Sequence, residues 1–398
     1  MKRIQVVVSN DLVFDQRVSK TCQSLQDSNY QVALWGVLKS DSKPISRSYD
    51  VVRQRVFFTK GAAFYAALNI RLFFYLLFAK YDVIWANDLD TLWPAVLAKR
   101  IRGKQLIYDS HEYFTEAEGL TGRDRVKRIW EGIERKCIPF VDVFVTVNES
   151  IAAIYRAKYQ REVRVQRNMP VERVGEGERG LEKVGEGERG LERGGEGERG
   201  LERVGEGWRG LERVGEGERG YVILQGAYID PDRGGMELVE AFQYVQSVKL
   251  KIVGAGRDLP RMKERTAELN LQDKIEFIDR LPYEELRQLT KGAKLGVSLD
   301  KPMHLNYTLS LPNKIFDYIH ANVPVLVSPL VELQRVVSEY QVGVVVDDVH
   351  PKVIAEAIEQ AVASDDYPQW VANCAKAARV LNWESDFQKI RVALATLK

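Results

Sequence analysis

The stretch SLPNKIFD, residues 310–317, sets a cation and a carboxylate three residues apart where a helix should begin. Ser310 is suited to cap that helix and Pro312 to its first turn, with Asn313 to Ala321 carrying it on. Free backbone N–H groups and the positive end of the helix dipole near Asn313 make such a tip a site for a diphosphate. Lys314 adds a full positive charge there. Asp317, one turn on and on the same face, is placed to accept hydrogen bonds from ribose hydroxyls. An ordinary capped helix with a weak surface ion pair would carry the same residues. The neighbouring loops have to decide.

Gly226 stands right after an apolar run, and Arg233-Gly234-Gly235 opens the helical span that follows. Glycine lets backbone approach a ligand closely, and arginine matches phosphate oxygens. Gly254-Ala255-Gly256 follows the next apolar run. Alone it reads as any turn, but three such strand ends in one half point to a phosphate-binding surface. The first half offers different chemistry. His111 stands just past an apolar run with Glu112 beside it, and Asp11, Asp15 and Arg17 follow the first run; these three and Glu112 are expected to line the acceptor side of a cleft. Asp88-Leu89-Asp90 has the spacing of a carboxylate pair that holds a metal. It stands in the half without phosphate loops, so no metal is expected.

The elements that must hold these loops alternate. Apolar runs occur at Ile4–Val8, Gln31–Trp35, Val83–Ala86, Leu106–Tyr108, Val143–Val147 and Val163–Val165, separated by amphipathic spans such as 15–25 and 124–137. The second half repeats the rhythm at Tyr221–Gln225, Lys249–Val253, Ile275–Ile278, Leu295–Ser298, Val325–Val327 and Gly343–Val346. Its helical spans are 235–244, 259–269, 283–290, 313–321 and 351–363. Alternation of this kind predicts an α/β chain of two Rossmann-like domains with parallel sheets, ligands lying at the carboxyl ends of the strands.

Between the halves, residues 172–221 are five near-identical decapeptides of the type ERVGEGERGL, holding 16 of the 30 glycines. So few apolar residues cannot offset the entropy of ordering the chain, and a flexible linker is expected over 172–220. That gives a first domain at 1–171, a second at 221–380 and a last helix at 381–398. The chain is 45% hydrophobic with a formal charge of only +2, which disfavours a nucleic-acid partner. Three scattered cysteines, Cys22, Cys137 and Cys374, fit neither a disulfide ladder nor a zinc site and suit a reducing compartment. The N-terminal apolar run is too short for a signal peptide and is expected as a buried strand. Residues 61–79, GAAFYAALNIRLFFYLLFA, are interrupted by Asn69 and Arg71. A mostly buried helix is expected there, the alternative being a helix lying on a membrane surface.

Taken in order, SNDLVFDQRV (9–18), ANDLDTLWPA (86–95), YDSHEYFTE (108–116), QGAYIDPDRGGME (225–237), LPNKIFDYI (311–319) and Trp383-Glu384 resemble the motifs of glycosyltransferase family 4. The resemblance covers nearly the whole chain except the repeats. It implies a GT-B fold, two Rossmann-like domains facing each other across a cleft, and sugar transfer with retention of configuration. The donor would be a nucleotide diphosphate sugar and the acceptor a glycan or lipid-linked sugar, in surface polysaccharide synthesis. No other cofactor and no metal would be needed, and the protein would be cytoplasmic or at the inner membrane face. By the same resemblance Arg233 and Lys314 grip the donor pyrophosphate, Asp317 binds ribose, His111 lies near the donor sugar, and Arg280-Leu281 form the turn at the base. Gly226, Gly234, Gly254, Gly256 and Asn313 complete the donor side. Two departures stand out: Ala227 replaces the family's usual arginine, and Leu309 replaces the first glutamate of its paired-glutamate motif. A binder without transferase activity and a nucleotide-sugar epimerase are the rival readings.

Overall fold

A computed structural model describes residues 1–13, 15–171 and 220–397, so the expected linker, apart from Gly220, lies outside the described residues. The first sheet comprises β1 (Arg3–Val7), β2 (Gln31–Val37), β3 (Asp50–Gln54), β4 (Val83–Asn87), β5 (Gln105–Ser110), β6 (Val143–Thr146) and β7 (Arg164–Val165). Its order is β3-β2-β1-β4-β5-β6-β7, and every pairing is parallel. The second comprises β8 (Tyr221–Gly226), β9 (Lys249–Gly254), β10 (Ile275–Ile278), β11 (Ala293–Ser298), β12 (Val325–Val327) and β13 (Gly343–Val345), ordered β10-β9-β8-β11-β12-β13 and again parallel.

Buried on both faces, such strands read as unbroken apolar runs, which is why most were visible in the sequence. The exception is β3, an edge strand with no residue fully buried. Its DVVRQ sequence carries too short an apolar signal. In each sheet the order reverses once, between β1 and β4 and between β8 and β11. Those switch points are where crevices open in doubly wound sheets.

The C-terminal helix Trp383–Thr396 returns to the first sheet. Trp383, Phe387, Ile390 and Leu394 share an apolar cluster with Ile4, Val6 and Leu25. Trp383 Nε1 donates to Ser24 Oγ (2.8 Å), and buried Asp386 receives Arg167 at 2.8 Å.

The helix Gly61–Phe78 corrects an expectation. Only Leu68, Leu72 and Leu76 are buried, a single stripe at four-residue spacing. Ile70, Phe74 and Phe78 are 60%, 55% and 83% exposed. The helix is apolar on every side, but the fold covers one side alone. Asn69 is satisfied by the carbonyls of Tyr65 and Asp90, and Arg71 lies over the Phe57 ring.

Candidate active site

Asp300 organises the second half, and the sequence reading passed over it. It stands two residues past the end of β11, at the switch point, and is fully buried. Its Oδ1 accepts from Arg233 Nη1 (2.6 Å), while Oδ2 accepts from Ser298 Oγ (2.7 Å) and faces Lys314 Nζ at 3.2 Å. Burial pushes the Asp300 carboxyl up, but Lys314 and Arg233 outweigh it and hold it below the usual range. Burial lowers the Lys314 ammonium, Asp300 opposes this, and Arg233 adds to it, for a net depression. Two cations against this one buried carboxylate leave a positive charge, which Asp232, the least of the named influences on either cation, offsets only in part. That residual charge is what a diphosphate would meet.

Backbone geometry brings Arg233 there. Gly234, just after it, sits at φ +68, and a Cβ at this position would lie 2.3 Å from the Leu299 carbonyl oxygen. Only glycine fits that turn. Gly254 and Gly256 do something other than admit a ligand. A Cβ on Gly254 (φ +135) would lie 1.9 Å from the Gly226 oxygen, and one on Gly256 would lie 2.1 Å from the Ile229 oxygen. The loops after β8 and β9 therefore pack against each other.

Ser310 is not the expected cap. The helix runs Lys314–His320, with Asn313 exposed at its N-cap position and making no side-chain cap. Ser310 instead closes the short turn Leu305–Thr308, its N–H donating to Tyr307 O. With seven residues the helix has a modest dipole, so the cations carry most of the charge. Asp317 does not pair with Lys314. It accepts from Gln225 Nε2 (3.2 Å), and burial, opposed by Lys20, raises its carboxyl to about 6. Arg280 donates to Ala227 O and lies 5.1 Å over the Tyr228 ring, while Leu281 packs in the apolar cluster beneath the second sheet.

In the first half, His111 is enclosed by acceptors. Nδ1 lies 3.3 Å from Asp88 Oδ2, and Nε2 lies 3.1 Å from Asn87 Oδ1 and 3.5 Å from Asp109 Oδ2. Its N–H donates to Asp88 Oδ1 (2.8 Å). Burial alone would lower the imidazole, but Asp88 and Asp109 outweigh it and hold it at about 9. His111 is thus an imidazolium near neutral pH, a fixed charge and not a base. Asp88 adopts φ 60, a strained conformation for a residue with a side chain. The carboxylate pair read as a metal motif is divided: Asp88 serves His111, and Asp90 is buried beside Ser9.

Arg17 needs correction as an acceptor-side residue. It is buried, donating to Asp109 Oδ1 (2.7 Å) and Gln166 O (2.6 Å), because Asp109 needs a counter-charge beneath His111. Asp15 caps the helix Gln16–Asp27 through Val18 N–H, and Asp11 is held by Arg53 and Ser42. Glu112 alone of that group lines a cavity of about 350 Å³ together with Arg233, Asn306, Tyr307 and Ser310. Asn87, Asp88, Asp109 and Asn306 were missed as partners. Each stands at or just past a strand end or in the loop after β11, and a search for counter-charges to the cations would have found the carboxylates.

Two parallel α/β sheets with a cavity lined from both halves define the GT-B class of glycosyltransferase fold. Structures of the same fold include sucrose-phosphate synthase from Thermosynechococcus elongatus (TM-score 0.72, 16% identity, 99% of this chain and 100% of that one). HepE of Anabaena in complex with UDP-glucose is also similar (0.68, 12%, 100% of both chains). So is WaaG, a glycosyltransferase involved in lipopolysaccharide biosynthesis (0.63, 13%, 98% of both). No protein with a curated description matches. Two family models match in tandem, "Glycosyltransferase Family 4" over residues 16–168 and "Glycosyl transferases group 1" over 211–379. The first half thus belongs to glycosyltransferase family 4 and the second to the group 1 glycosyl transferases.

Proposed function

We propose that the chain moves a sugar from a nucleotide diphosphate sugar to a glycan or lipid-linked acceptor with retention of configuration, without a metal, in surface polysaccharide synthesis. The observation that carries this is the pairing of Arg233 and Lys314 on buried Asp300 beside a cavity lined from both halves. In the mechanism, the bond from the sugar's anomeric carbon to the diphosphate oxygen breaks first. The two cations take up the charge developing on that oxygen. The acceptor hydroxyl attacks from the same face, its oxygen bonds to the anomeric carbon, and its proton passes to the departing phosphate. His111, already charged, contributes a field and takes no proton. HepE, solved with UDP-glucose, supports a nucleotide-sugar donor.

The test is thermal unfolding with uridine, guanosine and adenosine diphosphates. A ligand at a hundred times its dissociation constant adds about 2.7 kcal/mol of stability, a rise of a few degrees for a chain of this size. No shift with any of the three would overturn the reading. The rival is a binder without transfer, favoured by Leu309, which packs among apolar residues of the first half. Binding without turnover on a broad acceptor panel would establish it.

A lipid-linked acceptor would place the protein at the cytoplasmic face of a membrane, and the helix Gly61–Phe78 is the contact we assign. Ile70, Phe74 and Phe78 are exposed on it and Phe57 lies beside Arg71, an apolar face with a cation alongside. Vesicles containing phosphatidylglycerol should co-sediment the wild type and release Phe74→Glu/Phe78→Glu. Equal sedimentation of both would remove the assignment.

A further inference from the structure

The cavity beside Arg233 contains a carboxylate for which the scheme above has no use. Glu112 lines it from the first half. Among the described residues its carboxylate accepts one hydrogen bond, at Oε2 from Asn306 Nδ2 (2.8 Å). Asn306 is held in turn, its Oδ1 accepting from the Tyr113 N–H (3.0 Å). One amide from the second half is therefore fixed at both ends, and it fixes the carboxylate. Oε1 accepts nothing among the described residues. On the same cavity wall, the Ser310 hydroxyl is shielded from water and has no partner among the described residues.

The position where the family resemblance leads one to expect a carboxylate points elsewhere. Leu309 is packed in the first half's apolar cluster, and its carbonyl accepts from Asn148 Nδ2 (2.7 Å). The leucine side chain at 309 cannot accept a hydrogen bond from a sugar hydroxyl.

The chemistry of the cavity limits what fills it. Burial and then Asp88 push the Glu112 carboxyl up to about 7, so an anion favoured at Arg233 is disfavoured at Glu112 and would push that carboxyl up further, and the part of a ligand near Glu112 is neutral. A carboxylate with a free oxygen takes a hydrogen bond from a neutral donor, and an apolar group would leave that oxygen unsatisfied. A polyol joined to a diphosphate meets both demands. We propose that Glu112, positioned by Asn306, accepts a hydroxyl of the transferred sugar and so decides which epimer is used, in place of the carboxylate absent at 309. This rests on the nucleotide-sugar reading above.

Calorimetric titration with the three nucleoside diphosphates, then with epimeric hexose derivatives of whichever base binds, tests it. Glu112→Gln keeps the side chain's shape and can still accept from Asn306. It should bind the nucleoside diphosphate within about two-fold of wild type while the preference between epimers falls by about ten- to a hundred-fold. Asn306→Ala, which frees the carboxylate without removing it, should reduce the preference less. Two outcomes overturn the inference and leave the function standing: an unchanged epimer preference in Glu112→Gln, or equal losses for nucleotide and nucleotide sugar. A wild type that binds no nucleoside diphosphate overturns both.

Discussion

Lys314→Ala should lower kcat by about 10²–10³-fold, equivalent to some 2.7–4 kcal/mol of lost transition-state stabilisation, while leaving the fold intact. The size follows from the removal of a preorganised charge in a site shielded from water, as when an oxyanion-hole donor is deleted. The intact fold follows from Asp300. That carboxylate keeps Arg233 at 2.6 Å and the Ser298 hydroxyl at 2.7 Å after the ammonium is gone, so no buried charge is left alone. Arg233→Ala should act in the same direction. The double variant should lose less than the sum of the two, because both groups act on one leaving diphosphate. Circular dichroism and single-turnover rates with a radiolabelled donor would measure this. A Lys314→Ala enzyme with a near-normal rate would remove the diphosphate assignment.

Much of this architecture was legible in the sequence because the sheets are parallel and buried on both faces. Val83–Ala86 and Val325–Val327 stand out as continuous apolar runs, and Gly226 and Gly254 stand right at the ends of the runs that form β8 and β9. What escaped notice was cross-chain and electrostatic. Asp300 looked like one more loop residue, since its meaning depends on Arg233, 67 positions away, and on Lys314. Arg17 looked like a cleft residue, although its partner Asp109 is 92 positions distant. Spacing within the helix left a weak Lys314–Asp317 surface pair open as the plain alternative, but the tertiary fold gives Lys314 a different partner, buried Asp300. The helix Gly61–Phe78 failed for a simpler reason: hydrophobicity on every side says that burial is favourable, not that anything is there to cover it.

Asp109→Asn should be the most destabilising conservative change in the first half, at about 3–5 kcal/mol. The substitution keeps size but strips the counter-charge from Arg17, which is buried and would keep neutral partners only: the Gln166 carbonyl, the Trp383 ring and the new amide oxygen. It also removes one of the two carboxylates that hold His111 charged. The pH dependence separates these effects. In the wild type, His111 titrates at about 9 when folded and near 6.5 when unfolded, so the folded state binds the proton more tightly. Its contribution is fully present below 6.5 and is lost as pH rises through 9. Asp109 behaves oppositely. Burial works against its charge, but Arg17 and His111 outweigh it and depress the carboxyl, so its contribution is present above the ordinary aspartate pKa and disappears in acid. In Asp109→Asn the Asp109 share of the acid-side loss should vanish, leaving that of Asp300 and Asp386, and with Asp88 the one carboxylate left beside the ring the alkaline loss should begin at lower pH. Urea midpoints across pH 3–10 would show both changes, and with four histidines in the chain the His111 titration can be followed by NMR. A variant with unaltered midpoints and a His111 still charged at pH 8 would mean that Asp88 and Asn87 suffice. It would also mean that the chain from Arg17 through Asp109 to the imidazole sets neither the stability of this half nor the charge at the strand ends. If the chain does hold that charge, transfer rates should show no histidine inflection between pH 6 and 8, because the ring that faces the acceptors never gives up its proton there.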